Sequence, residues 1–275
     1  MILNKFDLKD ELIVITGGAG LLGARYTKAL LEANATVILF DINKTALKDV
    51  KDKFKNKYKN KLFTYKVDIT KEKEILKKKK KIFKKLNKYP SILINNAAID
   101  PKFEENSKIN KSRLENFELK QWDLEISVGL TGAMLCSKIF GTEMAKMNKG
   151  VILNISSDLG VIAPDQRLYE QDNLKEEEQN VKPVTYSVIK HALIGLTKYT
   201  ATYWAHKGVR CNAFAPGGVF NNHSEEFLNK IASLIPMKRM AKLDEYEATI
   251  VFLCSPASSY MNGATLNMDG GRSII

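Results

Sequence analysis

Seven short apolar runs punctuate this chain, and stretches of helical character separate them. Leu12 to Thr16 is the first, and it leads into glycines and then a helix through about Leu31. Thr36 to Phe40 ends in Asp41, and Leu62 to Val67 ends in Asp68. Ile92 to Ile94 ends in Asn95-Asn96, and Val151 to Ile155 ends in Ser156-Ser157. Val209 to Ala213 precedes Pro216-Gly217-Gly218, and Thr265 to Met268 supplies the last run. Continuous apolar strands alternating with helices need both faces covered, which is the property of a parallel sheet. Right-handed crossovers then predict an α/β fold, a Rossmann-like doubly wound sheet of about seven strands with helices on both faces. In such a fold ligands sit at the carboxyl ends of the strands, where the polar residues of this chain fall.

One dinucleotide-binding and catalytic domain over residues 1–275 is expected, since no second core, internal repeat or long linker appears. The 44% hydrophobic content suits one continuous core. Two segments break the rhythm. Residues 100–120 are polar and charged and are expected to loop over the sheet edge. Residues 161–184 form an inserted excursion on the substrate side, rich in Asp, Glu and Gln, and a loop of that length is commonly functional.

Much of the net charge of +12 comes from Lys51 to Lys88, including the run Lys77 to Lys81. One reading is a nucleic-acid or anionic-surface patch. The other is the solvated side of an amphipathic helix, because Ile75, Leu76, Ile82, Phe83 and Leu86 recur near helical spacing. The run lacks the interleaved aromatics and arginines that read bases, so the second reading is preferred and no nucleic-acid partner is expected. Cys136, Cys211 and Cys254 are scattered and odd in number, which fits reduced thiols in a cytoplasmic protein and neither a disulfide framework nor a metal site. No apolar run approaches the roughly 20 residues of a membrane span, and the first residues lack the order of a secretory signal. A cytoplasmic protein with no membrane partner is therefore expected.

The strand LIVIT enters TGGAGLLG, where Gly17 opens the turn and Gly18, Gly20 and Gly23 make a G-x-G-x-x-G. The pattern is weak alone. Here it follows a strand, opens a helix, and has Asp41 at the next strand tip at about the expected interval of 20 residues. Glycine lets the backbone approach a pyrophosphate, and the helix N-terminus offers N–H groups to it. Asp41 would accept from adenosine ribose hydroxyls and repel a 2′-phosphate, which favours NAD over NADP, with Lys44 nearby to soften the preference. Asp68, with Ile69, either lines the adenine pocket or caps the N-terminus of the following helix before Thr70 and Lys71.

Tyr186 and Lys190 lie four apart in TYSVIKHALIGL and so project from one helix face. A free tyrosine, with pKa about 10, is a poor base at neutral pH. A neighbouring ammonium and a positively charged nicotinamide favour the phenolate. Ser157 at the fifth strand end can hydrogen-bond the same substrate oxygen.

TGGAGLLG, FDIN, VDIT, NNAA, ILNISS, YSVIK, VRCNAFAPGG and NGATLNMDGG appear in that order, and over nearly its full length the chain resembles the single-domain branch of the short-chain dehydrogenase/reductase family. The resemblance implies Tyr186 as general acid/base, Lys190 as the residue that binds the nicotinamide ribose, and Ser157 as the hydroxyl that polarises the substrate. It also implies cofactor contacts near Leu22, Asn95, Ala97 and, after the sixth strand, Pro216, Gly217 and Val219, and a homodimer or homotetramer. Three positions depart from the family pattern. Gly129, in WDLEISVGLTG, stands where an asparagine usually helps to hold a relay water. Leu21 replaces a common glycine. Asn221 falls where a threonine often contacts the carboxamide, and it counts as a substrate-side residue. In the excursion, Arg167 with Gln166 and Tyr169 would hold a phosphate, carboxylate or sugar hydroxyls, unless Arg167 pairs with a nearby acid or the loop packs against another subunit. The combination with VGLTG is similar to a subset associated with flagellin modification and surface-sugar biosynthesis, which implies a sugar or nucleotide-sugar substrate. The alternative is a cofactor-binding sensor or scaffold without turnover, which Gly129 motivates.

Overall fold

The computed structural model describes residues 1–99 and 110–275. Its seven strands are β1 (Leu12–Thr16), β2 (Thr36–Asp41), β3 (Leu62–Lys66), β4 (Ile92–Asn95), β5 (Gly150–Ile155), β6 (Val209–Pro216) and β7 (Thr265–Met268). They form one parallel sheet in the order β3-β2-β1-β4-β5-β6-β7. All seven predicted strands are present, and β6 runs three residues further than its apolar stretch suggested.

Every residue of β1 is buried, and alternation sends its side chains to two different cores. Ile13 and Ile15 join Tyr26, Leu30 and Leu31 of α1 (Leu21–Glu32), Leu47 and Val50 of α2 (Lys44–Tyr58), and Ile250 and Leu253 of α8 (Glu247–Cys254). Leu12 and Val14 join Ile75 and Ile82 of α3 (Glu72–Leu86) and Leu135, Ile139 and Phe140 of α5 (Gly132–Lys146). Burying each such side chain contributes about 1.5–3 kcal/mol, so the two apolar faces of the sheet oblige helices to cover both.

The helix α4 (Leu119–Ile126) continues through a turn at 127–131 into α5. Together, Leu119–Lys146 make the one helix among the described residues with the length and mean apolarity of a membrane span. Of the 18-residue stretch that meets this test, 56% is buried against the rest of the molecule, as in a core helix. The lysine run lies along α3 with Ile75 and Ile82 facing inward. Lys79 reaches Glu143 of α5 at 2.6 Å, while the Lys78 and Lys81 ammoniums lie 5.7 Å from the Tyr65 ring. Burial raises the Glu143 carboxyl, but the Lys79 hydrogen bond and charge outweigh it and hold Glu143 below the ordinary range. The three cysteines are free and buried, and burial pushes each thiol up to about 12, so none offers a thiolate at neutral pH.

Candidate active site

The strand order reverses between β1 and β4, and the crevice outside such a switch point is the general ligand seat of this architecture. At its floor the chain leaves β1 through Gly17, whose φ of +60° suits glycine. Gly20 precedes α1 with no side chain closing the first turn, so the N–H groups of residues 21–23 have no partner within the helix. A Cβ on Gly23 would lie 2.4 Å from the Gly17 carbonyl oxygen, so the loop can fold onto α1 only with glycine at 23. Leu22 is half-buried beside it. Asn96 locks the other wall. Its amide donates to the Thr16 and Gly17 carbonyls at 3.1 and 3.0 Å, and the Thr16 hydroxyl accepts from the Asn96 and Ala97 N–H groups at 3.0 and 3.1 Å.

Asp41 ends β2 with one oxygen accepting from the Ala19 N–H at 3.0 Å and the other from the Asn43 N–H at 2.9 Å. This donor set fits a dinucleotide: an uncapped helix N-terminus for a pyrophosphate and a carboxylate at the next strand tip for ribose hydroxyls. Asp68 does not cap α3, whose first turn follows Lys71 with no side chain closing it, and closes a local turn instead. It accepts from the Thr70 N–H and hydroxyl at 3.0 and 2.6 Å and pairs with Lys71 at 3.2 Å. Burial raises its carboxyl, yet the Thr70 and Lys71 contacts outweigh that and hold it below the ordinary range. Ile69 is buried over α5, where a Cβ on Gly132 would meet its Cδ1 at 2.7 Å. Asn95 is buried too, and its amide donates to Ser137 at 3.0 Å and Asn154 at 2.8 Å. Pro216 ends β6, the Gly217 N–H donates to the Met268 carbonyl at 3.0 Å, and Val219 bridges to Ala241.

Two hydrogen bonds between the end of β5 and the next long helix bring the predicted catalytic residues towards one place. α6 (Val184–Tyr203) carries both Tyr186 and Lys190. Lys190 is buried and donates from Nζ to the Ile155 carbonyl at 2.9 Å, at the end of β5. Its own carbonyl accepts from the Ser156 hydroxyl at 2.7 Å. Ser157 follows directly, buried, with its Oγ accepting from the Leu159 N–H at 3.2 Å and donating to Asp158 at 2.7 Å. The Tyr186 ring stands with the Lys190 ammonium 5.5 Å from its centroid and the Lys182 ammonium at 4.0 Å. A phenol and a buried ammonium on α6 thus stand against the end of β5, which leads directly into the Ser157 hydroxyl, a set of groups able to move a proton on and off a carbinol oxygen.

Gly129 lies in a five-residue π-turn, Ser127–Thr131, that interrupts the long helix. A Cβ on Gly129 would come 2.8 Å from Cγ2 of Ile189, the neighbour of Lys190. Restoring the family asparagine is therefore expected to damage rather than improve the site. Gly129→Asn should lower the melting temperature by roughly 2–10 °C, from overpacking of about 1–3 kcal/mol, with a parallel loss of turnover. Differential scanning fluorimetry with steady-state rates checks it, and an unchanged melting point with faster turnover would refute it.

The excursion at 161–184 is clasped from two sides. Leu168 is buried among Ile231, Ile235 and Met240, and Lys230 of α7 (Glu225–Ser233) donates to the Glu170 carbonyl at 2.6 Å. On the other side Asn110 donates to the Glu178 carbonyl at 3.0 Å, and the Ser112 hydroxyl accepts from the Val181 N–H at 3.1 Å. Residues 100–109 lie outside the described residues. The remainder, 110–118, docks on the excursion instead of simply crossing the sheet edge. Arg167 takes the ion-pair alternative, with bonds of 2.9 and 2.6 Å to Asp165 and 77% of its side chain exposed. Gln166 accepts from the Lys182 N–H at 2.8 Å, and Asn221 is exposed with its N–H donating to His223 at 3.2 Å. Sequence reasoning missed Thr16 and Asn96, which stand inside recognised motifs, and it missed Asp158 and Arg272, which only folding joins.

Comparison with known proteins follows the same geometry. The family profile described as short chain dehydrogenase matches residues 11–169, and one described as enoyl-(acyl carrier protein) reductase matches residues 174–273. The chain is 29% identical to a 2-dehydro-3-deoxy-D-gluconate 5-dehydrogenase of Bacillus subtilis, over 98% of this chain and 96% of that one. It is 28% identical to post-translational flagellin modification protein A of Campylobacter coli, over 96% and 98%. Among solved structures, a short chain dehydrogenase from Leptospira borgpetersenii with bound NAD+ is 30% identical, with a TM-score of 0.79 over 98% of this chain and 96% of that one. Another structure of the same fold, 23% identical with a TM-score of 0.85 over the whole of both chains, is a gluconate 5-dehydrogenase from Burkholderia cenocepacia holding NADP and tartrate.

Proposed function

The chain belongs to the short chain dehydrogenase family, oxidoreductases acting on CH–OH groups, and from that premise we propose that it is an NAD-dependent dehydrogenase of a sugar, sugar acid or nucleotide sugar. Residues 1–275 act together in this reading as one dinucleotide-binding and catalytic unit, a cytoplasmic homo-oligomer. The observation that carries it is the docking of Lys190, with Tyr186 beside it on α6, onto the end of β5 that leads into Ser157.

A bound nicotinamide dinucleotide supplies or accepts the hydride. The protein's own groups do the rest. Gly17, Gly18, Gly20, Leu22 and Gly23 seat the pyrophosphate on the N-terminus of α1, and Asp41 holds the adenosine ribose. Residues 68–69, the backbone at Asn95 and Ala97, and the segment Pro216–Gly217 with Val219 form the walls. Lys190 keeps one proton on the Ile155 carbonyl and offers the others to the nicotinamide ribose, while its charge stabilises a phenolate on Tyr186. In the oxidative direction the Tyr186 phenolate takes the carbinol proton, and in the reductive direction the phenol returns it. Ser157 donates to the substrate oxygen as charge develops there. The excursion, with Tyr169 and Asn221, closes over the substrate side.

NAD is favoured because a 2′-phosphate would face the Asp41 carboxylate. The sugar-like substrate rests on the gluconate-type and flagellin-modification relatives. A panel of sugars, sugar acids and nucleotide sugars, read at 340 nm with NAD+ and with NADP+, tests the proposal. At least one member is expected to give turnover about tenfold or more faster with NAD+, the scale of one repelled charge. No turnover with either cofactor across the panel would refute the enzyme reading, and a preference for NADP+ would refute the role of Asp41.

A further inference from the structure

Ser157 does not stand alone at the end of β5. Its hydroxyl donates to Asp158 Oδ1 at 2.7 Å, and the Leu159 N–H donates to the same oxygen at 2.8 Å. The other oxygen, Asp158 Oδ2, accepts from Arg272 Nη1 at 2.8 Å. Both charged side chains are buried, with 4% and 8% of their surfaces exposed. Arg272 comes from the short 3₁₀ turn Arg272–Ile274 after β7, 114 residues along the chain from its partner. A buried ion pair is a weak stabiliser compared with apolar packing, so its position calls for another account.

A hydroxyl has one proton to give. While that proton lies on Asp158, it is not on a substrate oxygen, and the two acceptors compete for it. The outcome depends on how much negative charge Asp158 presents. A guanidinium bonded to its far oxygen draws that charge away and weakens the near oxygen as an acceptor, whereas a lone buried carboxylate would grip the proton firmly.

We propose that Asp158 and Arg272 are positioning residues for Ser157: Asp158 holds the hydroxyl in one rotamer while the site is empty, and Arg272 weakens that hold so that the proton can turn to the substrate oxygen. The C-terminal turn thereby becomes part of the active site's support. The inference rests on Ser157 as the substrate-polarising hydroxyl.

Charge balance, rather than the arginine itself, is the variable to test. With the substrate from the panel that turns over fastest, Arg272→Met should lower kcat about tenfold, with KM changed less than about threefold. The double variant Asp158→Asn/Arg272→Met, neutral at both positions, should return kcat to within about threefold of the parent, because the amide oxygen still accepts from Ser157 without a charge. A role confined to stability would make the double variant no better than the single one, and that result overturns the proposal. So does full activity in a folded Arg272→Met. Should Arg272→Met not fold, the double variant decides by the same criterion. NADH binding, followed by fluorescence, should not change in any of them.

A readout without turnover separates this inference from the functional reading. In crystals of the Asp158→Ala protein grown with NAD+, Ser157 should occupy more than one χ1 rotamer, whereas the parent shows one. A single unchanged rotamer overturns the proposal even for an active enzyme. Split rotamers support the Asp158 hold even if the parent turns over nothing on the panel.

Discussion

Tyr186→Phe is expected to lower kcat by roughly a thousandfold while leaving NADH affinity unchanged. A positioned general acid/base contributes about 10²–10⁴ in rate, so a loss near the middle of that range corresponds to about 4 kcal/mol of transition-state stabilisation. The phenylalanine keeps the ring that faces the Lys182 and Lys190 ammoniums and removes only the oxygen. Packing is conserved, so the melting temperature should move by no more than about 2 °C. Steady-state rates, NADH fluorescence titration and thermal melting distinguish loss of chemistry from loss of structure. Retention of more than about a tenth of the activity would remove Tyr186 from the proton path and leave the site without its acid/base.

Gly23→Val should abolish cofactor binding. A Cβ at this position would stand 2.4 Å from the Gly17 carbonyl oxygen and 2.8 Å from the Gly18 Cα. Both neighbours are backbone, so relief requires the glycine turn to lift off α1, taking the pyrophosphate seat with it. The dissociation constant for NADH should rise by at least about a hundredfold, the loss of two or three good hydrogen bonds to a charged group. Overpacking should also cost about 1–3 kcal/mol, or roughly 2–10 °C in melting temperature. Fluorescence titration and calorimetry measure the two effects. A folded variant whose NADH affinity falls less than about tenfold would show that the dinucleotide does not sit on this turn.

The fold was legible because its signals are local. Strand length, apolar character and the helical spacing between strands are properties of neighbouring residues, and Leu12–Thr16 and Thr265–Met268 appeared where the apolar pattern put them. The core of the site was legible for the same reason. Tyr186 and Lys190 share a helix face by spacing, and Gly17, Gly20 and Gly23 share one strand-to-helix turn. Arg167 was less legible. A guanidinium in a loop suggests a ligand, but Asp165 two residues away offers both carboxylate oxygens, and short range wins. Asp68 likewise satisfies Thr70 and Lys71 first.

Sequence alone determined the sheet, its helices, the glycine turn and the order in which the hydroxyl, phenol and ammonium occur, because periodicity and spacing act over a few residues. Tertiary structure decided what those groups touch. Lys190 finds the Ile155 carbonyl across 35 residues, Ile189 fills the space beside Gly129, and Arg272 reaches Asp158 across 114. Such contacts depend on strand order and on the packing of α6 against β5. No local pattern encodes which distant charge will be buried against which carboxylate, because that choice is made only when desolvation forces each buried polar group to find a partner.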